Sequence, residues 1–245
     1  LLDLAITGRR RRGGGIPSGI LMEVFGPPSS GKSVLLCEIA GAVQRQGGEV
    51  MFKDPESRLD KQFAKIFDFN IDNVDYSRPN TISEVFAPIR VWEPATNQKI
   101  NGIFADSLAA LTTEMEMSNK DATGMRRAKE FSQELRVTCR SFVDKNILMV
   151  CSNQQRQNVG GGEYAPKFKS TGGEAISFYS SLRLKFNSAS KIKSDIVTIA
   201  GKKMQKVIGV ETEIEVFKSS VGHPYGMAPI CILFDYGIDD IRTNL

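Results

Sequence analysis

Apolar positions follow two rhythms along this chain. Leu21-Met22-Glu23-Val24-Phe25 is a nearly continuous apolar run of strand length, and Val34-Leu35-Leu36-Cys37-Glu38-Ile39-Ala40 has the composition and spacing of a helix. Further strand-like runs fall at 49–53, 73–77, 102–106 and 147–152, separated by helix-like stretches. Runs without polar alternation suit strands covered on both faces. The rhythm therefore predicts β-α-β units, a mostly parallel central sheet and helices on both of its faces. Between about 122 and 144, Phe131, Leu135, Cys139 and Phe142 recur at helical spacing. They predict one helix with one buried face, leaving Arg126, Arg127, Lys129 and Arg136 largely on others. Beyond Leu182 apolar and polar residues alternate through 194–200, 211–217 and 229–234 without an intervening helix. That pattern predicts an antiparallel C-terminal extension of the sheet.

Two segments fit neither rhythm: 115–124 is polar, and 155–171 contains Gly160-Gly161-Gly162 among basic and amide side chains. Both read as mobile connections. They follow the strands ending at Asp106 and Ser152, and parallel sheets place ligand sites beyond strand carboxyl ends.

With 245 residues, 41% of them hydrophobic, one α/β domain over 1–245 is expected. Net charge is only +4, so basic surface can arise only by clustering. Arg9 to Arg12 form one cluster; Lys191, Lys193, Lys202, Lys203 and Lys206 form another. Each suits a solvated face as well as a nucleic-acid contact. Four scattered cysteines, no C-x-x-C pair and a single histidine argue against zinc. Cys37, Cys151 and Cys231 sit in apolar text, which fits core residues in a reducing compartment. Without a secretory signal or long apolar span, a soluble cytoplasmic protein with no membrane partner is expected. The first residue is Leu1 rather than methionine, so a preceding portion of the natural protein is expected.

Gly26-Pro27-Pro28-Ser29-Ser30-Gly31-Lys32-Ser33 satisfies the G-x-x-x-x-G-K-S/T pattern between a predicted strand and a predicted helix. Loop amides and a helix N-terminus carry partial positive charge that can cradle phosphates, Lys32 can reach the β/γ oxygens, and Ser33 can ligate Mg2+. Gly26, Pro27, Ser29, Ser30, Gly31, Lys32 and Ser33 are thus candidate contacts to a nucleoside triphosphate. The apolar run Gly102-Ile103-Phe104-Ala105 ends in Asp106, a second candidate metal ligand, although a strand-end aspartate also suits a turn. Glu56, in Phe52-Lys53-Asp54-Pro55-Glu56, follows another strand end, where a carboxylate can take a proton from attacking water or remain a surface acid.

Five blocks occur in a telling order: 26–33, Asp54-Pro55-Glu56-Ser57-Arg58-Leu59-Asp60, Ala105-Asp106-Ser107-Leu108-Ala109-Ala110-Leu111, Ser152-Asn153-Gln154, and Thr171-Gly172-Gly173-Glu174-Ala175-Ile176-Ser177-Phe178-Tyr179. Together they resemble the RecA family of DNA recombinases from about Leu4 to Tyr236. The resemblance implies a RecA-like P-loop NTPase core that uses ATP and Mg2+. Glu56 then matches the catalytic glutamate, Gln154 the γ-phosphate sensor, and Asp60 and Phe63 the adenine contacts. Phe63 stands where bacterial members commonly carry tyrosine, so ring stacking survives and a hydroxyl contact does not. The segments at 115–124 and 155–171 match the two DNA-binding loops. Arg156, Gln157 and Asn158 are implied contacts to DNA, with Val159 the apolar wedge between base triplets. Lys129 and Arg136 match positions near the DNA backbone, and Gly172 and Gly173 present amides to phosphate. Lys218 matches one of two lysines that close a neighbour's nucleotide site; Ser220 stands at the second. The resemblance also implies that an N-terminal protomer-packing segment and a separate C-terminal domain lie outside these residues, and that the stretch at Arg9 to Arg12 is enlarged.

The activity so implied is ATP-dependent single-stranded-DNA binding, assembly of a homo-oligomeric helical filament, pairing with double-stranded DNA, and strand exchange with DNA-stimulated ATP hydrolysis. A hexameric helicase of the DnaB type and a regulatory paralogue without catalysis are the alternatives.

Overall fold

Strand and helix alternate in the computed structural model much as the apolar rhythm requires; it describes residues 1–8, 14–117, 124–157, 168–170, 174–199 and 202–244. In chain order the first half comprises α1 (Leu2–Thr7), β1 (Ile20–Gly26), α2 (Lys32–Arg45), β2 (Val50–Lys53), α3 (Lys61–Lys65), β3 (Asp75–Ser77), α4 (Ile82–Val91), β4 (Asn101–Ala105) and α5 (Glu114–Met117). There follow α6 (Gly124–Thr138), α7 (Ser141–Asp144), β5 (Ile147–Gln157), β6 (Phe168–Ser170), α8 (Glu174–Tyr179) and β7 (Leu182–Phe186). The last third holds β8 (Ser190–Lys193), β9 (Val197–Ile199), β10 (Lys202–Met204), β11 (Val207–Ser219), β12 (Met227–Leu233), β13 (Gly237–Ile238) and α9 (Asp240–Asn244).

The main sheet runs β13-β12-β11-β7-β1-β5-β4-β2-β3. From β7 to β3 all neighbours are parallel, and β11, β12 and β13 add an antiparallel flank. Successive side chains on a strand face opposite sides. Met22 and Val24 accordingly pack with Leu36 and Ala40 of α2 on one face, while Leu21, Ile103 and Met149 pack with Phe86 of α4 and Phe131 and Leu135 of α6 on the other. Both faces are covered, which is why the parallel strands read as unbroken apolar runs.

Four local expectations need correction. The helix expected over 122–144 ends at Thr138 and resumes at Ser141, where the Ser141 hydroxyl donates to the Thr138 carbonyl at 2.8 Å in competition with the backbone ladder. Cys139 is consequently only half-buried, while Phe131, Leu135 and Phe142 are buried. Gln155, Arg156 and Gln157 are not connection but the end of β5, paired antiparallel with β6 in the register Gln155↔Ser170, Arg156↔Lys169, Gln157↔Phe168. Their polar side chains concealed a regular main-chain ladder. The strand expected at 194–200 does not join the sheet: β9 pairs with β10 in a separate ribbon, and it is β8 that pairs with β11. Finally, residues 71–73 form a single 3₁₀ turn capped by the Asn70 side chain, so β3 begins only at Asp75.

Candidate active site

Loop 26–33 leaves β1 and turns sharply into α2, and two glycines make the turn possible. Gly31 holds φ 98° at the helix N-cap, where an added Cβ would lie 2.4 Å from Ile232 Cδ1. Gly26 lies so close to β7 that a Cβ would lie 2.5 Å from the Phe186 carbonyl oxygen. Only glycine combines these dihedrals with such approach. Within the loop, Ser30 Oγ donates to the Pro27 carbonyl at 2.9 Å, and Lys32 Nζ donates to the carbonyls of Gly26 at 3.2 Å and Pro27 at 2.6 Å. Burial lowers the Lys32 pKa, opposed by the nearby carboxylates of Asp106 and Glu56. The loop amides and the first turn of the fourteen-residue α2 give this corner partial positive charge.

Sheet register brings the other groups alongside. Gly26 is the direct parallel neighbour of Gln154 on β5, and Ala105 at the end of β4 neighbours Cys151 on β5 and Lys53 on β2. Asp106 therefore emerges beside Ser152, whose hydroxyl donates to its Oδ1, with the Ser33 hydroxyl also close to this carboxylate. Burial raises the Asp106 pKa while the Ser152 and Ser33 hydroxyls act against that rise. The next peptide, Asp106-Ser107, is cis.

Glu56 sits on a turn fixed from beneath. The carboxylate of Asp54, 1% exposed, accepts the backbone N–H of Arg58 at 3.2 Å and of Leu59 at 2.9 Å, and the Tyr76 hydroxyl at 2.8 Å. Ser57 takes the left-handed conformation at φ 53°. On that base, Glu56 Oε1 accepts the Ser107 hydroxyl at 2.6 Å and Oε2 pairs with Arg58 Nη1 at 2.8 Å.

These groups line one cleft of about 800 Å3. The loop, Glu56, Arg58, Asp106, Ser107, Ser152 and Gln154 form its polar side, and Phe63, Phe67, Val210, Ile232, Leu233 and Phe234 its apolar side. The polar groups suit a chain of phosphates; the apolar ones suit a flat, apolar-faced ring.

Of the expected residues, Gly26, Ser29, Ser30, Gly31, Lys32, Ser33, Glu56, Phe63, Asp106 and Gln154 line this cleft. Pro27 contributes its carbonyl to Lys32. The Asp60 carboxylate instead caps α3, accepting from Gln62 N at 2.8 Å and Phe63 N at 3.1 Å. Lys218, on β11, donates to the carbonyls of Ser177 at 2.9 Å and Phe178 at 3.0 Å at the end of α8. Lys129 and Arg136 are exposed on α6. Arg156 and Gln157 lie on the β5–β6 ladder. Asn158, Val159, Gly172, Gly173 and Arg9 to Arg12 fall outside the described residues.

Arg58, Ser107 and Ser152, and the apolar wall of Val210, Ile232 and Phe234, also line the cleft but are not among the expected residues. The two serines adjoin strand-end motifs and were findable from that adjacency. The wall comes from strands that return to the cleft more than two hundred positions into the chain, and no local pattern marks it. Among the described residues no group of three or more His, Cys, Asp or Glu is arranged to hold a metal alone, and no helix is long and apolar enough to cross a membrane.

A solved structure described as the crystal structure of the RadB recombinase superposes with a TM-score of 0.63 over 93% of each chain at 18% identity, a likeness of fold. The family model for the RecA N-terminal domain matches residues 3–239. A phosphate loop, a strand-end aspartate and a glutamate on the turn after the neighbouring strand converge within a sheet that this match spans almost end to end, and the chain belongs to the RecA family.

Proposed function

We propose that residues 1–245 form a single RecA-like ATPase core that binds single-stranded DNA, assembles with further copies into a helical filament, and pairs and exchanges strands with double-stranded DNA, hydrolysing ATP in response to DNA. RecA-family proteins are generally ATPases and recombinases. The observation that carries the finer reading is the convergence of Lys32, Ser33, Glu56, Asp106 and Gln154 on one cleft from the loop and the ends of three neighbouring strands.

In this reading the loop amides hold the phosphates, and Lys32 moves from the Gly26 and Pro27 carbonyls to the β/γ oxygens. Ser33 and Asp106 offer a hydroxyl and a buried carboxylate, hard oxygen donors that fit Mg2+ and would hold it. When bound, the ion neutralises charge on the transferred phosphoryl group. Glu56, oriented by Ser107, takes the proton of the attacking water. Phe63 stacks on the adenine ring, and the apolar wall completes its slot.

Gln154 ties the phosphate end to DNA. It neighbours Gly26 in the sheet, and the same strand runs on into the ladder with β6 that carries Arg156 and Gln157. A contact to the terminal phosphate at Gln154 would bias the arrangement of that ladder. DNA is held through its phosphates, which leaves base edges free for pairing.

The test is steady-state ATP hydrolysis with and without single-stranded oligonucleotide. Stimulation by the oligonucleotide is the expected result. Turnover that ignores it would leave an ATPase without this function, and negligible turnover on DNA would favour the regulatory paralogue.

A further inference from the structure

We propose that Arg58 is a second phosphate-binding cation of the cleft, and that it holds Glu56 until the terminal phosphate of a nucleoside triphosphate takes its guanidinium. The proposal rests on the nucleotide-site reading and adds to it a residue that discriminates triphosphate from diphosphate.

Among the described residues that line the cleft, the cations are Lys32 and Arg58. They are placed very differently. Lys32 is tied to two loop carbonyls, whereas the Arg58 side chain is 81% exposed and meets Glu56 through one nitrogen. A guanidinium has five N–H donors in a planar fork that matches phosphate bidentately. An ion pair this open to water is weak, so exchange of a carboxylate for a more highly charged phosphate favours the phosphate.

The backbone lets the side chain move without the turn moving. Asp54, buried, fixes the N–H groups of Arg58 and Leu59. The partner left behind is held as well: Glu56 is 14% exposed and its Oε1 keeps the Ser107 hydroxyl at 2.6 Å. Departure of Arg58 therefore uncovers Oε2 alone, on a carboxylate that stays oriented. A diphosphate lacks the group that draws Arg58 away, so Oε2 remains paired.

Binding of fluorescent ADP and of a fluorescent non-hydrolysable ATP analogue to the full chain tests this. Arg58→Ala should weaken the triphosphate analogue about tenfold and leave ADP within about twofold, with Arg58→Lys recovering part of the loss. Glu56→Gln removes the competing carboxylate and should tighten the analogue by about two- to fivefold, a gain that disappears in the double variant with Arg58→Ala. Equal losses for both nucleotides, the mark of an arginine that merely shapes the turn, would overturn the role of Arg58. So would unchanged affinity for the analogue. A wild-type chain that binds neither nucleotide would overturn the nucleotide site itself and this inference with it.

Discussion

Lys53 brings an ammonium to the end of β2 with only 2% of its side chain exposed, facing Asp75 Oδ1 at 3.5 Å. Burial holds its pKa below the ordinary 10.5, and Asp75 pulls it back upward. Between the lowered value and 10.5 the unfolded chain binds more protons than the folded one, so stability should rise with pH across that window. Lys53→Met keeps the length and removes the charge. It should stabilise the fold by about 1 kcal/mol, raise Tm by about 2–4 °C, and abolish that alkaline rise in urea melts. A lower Tm would mean the ion pair more than repays its desolvation. At the cleft, Lys32→Ala should abolish nucleotide-dependent DNA binding, and Glu56→Gln should retain nucleotide yet lose turnover by about 10²–10⁴-fold; unchanged hydrolysis would remove Glu56 as the base. Residues of the phosphate loop were legible because eight consecutive positions encode the site locally. Arg58 stood in plain view within a recognised block but meant nothing there, since its role depends on a 2.8 Å contact to Glu56 that spacing does not encode.

Strands below the cleft are joined by a buried polar cluster. Glu23 of β1, fully buried, accepts Arg183 Nε of β7 at 2.6 Å and Asn153 Nδ2 of β5 at 2.9 Å. The Arg183 guanidinium lies 4.6 Å from the Phe25 ring centroid and 5.2 Å from that of Phe217 on β11. Arg183→Met would leave the Glu23 charge without its ion pair and should cost about 3–5 kcal/mol in chemical denaturation. Pairing it with Glu23→Leu should restore most of that loss, and a neutral single variant would contradict the assignment. In the sequence Glu23 is only an interruption of an apolar run, because its partner lies 160 positions away. Strand runs themselves were legible, since burial on both faces leaves a one-dimensional trace. The β5–β6 ladder and the break between α6 and α7 were not, because main-chain pairing and a serine hydroxyl on a helix carbonyl leave none.

At the scale of the whole molecule the antiparallel flank does more than extend the sheet. Placing β11 and β12 on the far side of β7 brings Val210, Ile232 and Phe234 over the cleft, so the last third of the chain supplies the apolar wall for a loop at residue 26. The alternation along those strands foretold their pairing but not their position in the sheet order. DNA contact belongs to this scale too, because a net charge of +4 gives no strong overall field and affinity must come from local cations. Arg156→Ala should weaken single-stranded-DNA binding and flatten the slope of log K against log salt by about one, while nucleotide affinity stays unchanged. The most direct test of the account is the anisotropy of a labelled single-stranded oligonucleotide titrated with the full chain in a non-hydrolysable ATP analogue and in ADP. Markedly tighter binding with the triphosphate, weakening as salt rises, is the predicted result; binding that is absent, or identical with either nucleotide, would contradict it.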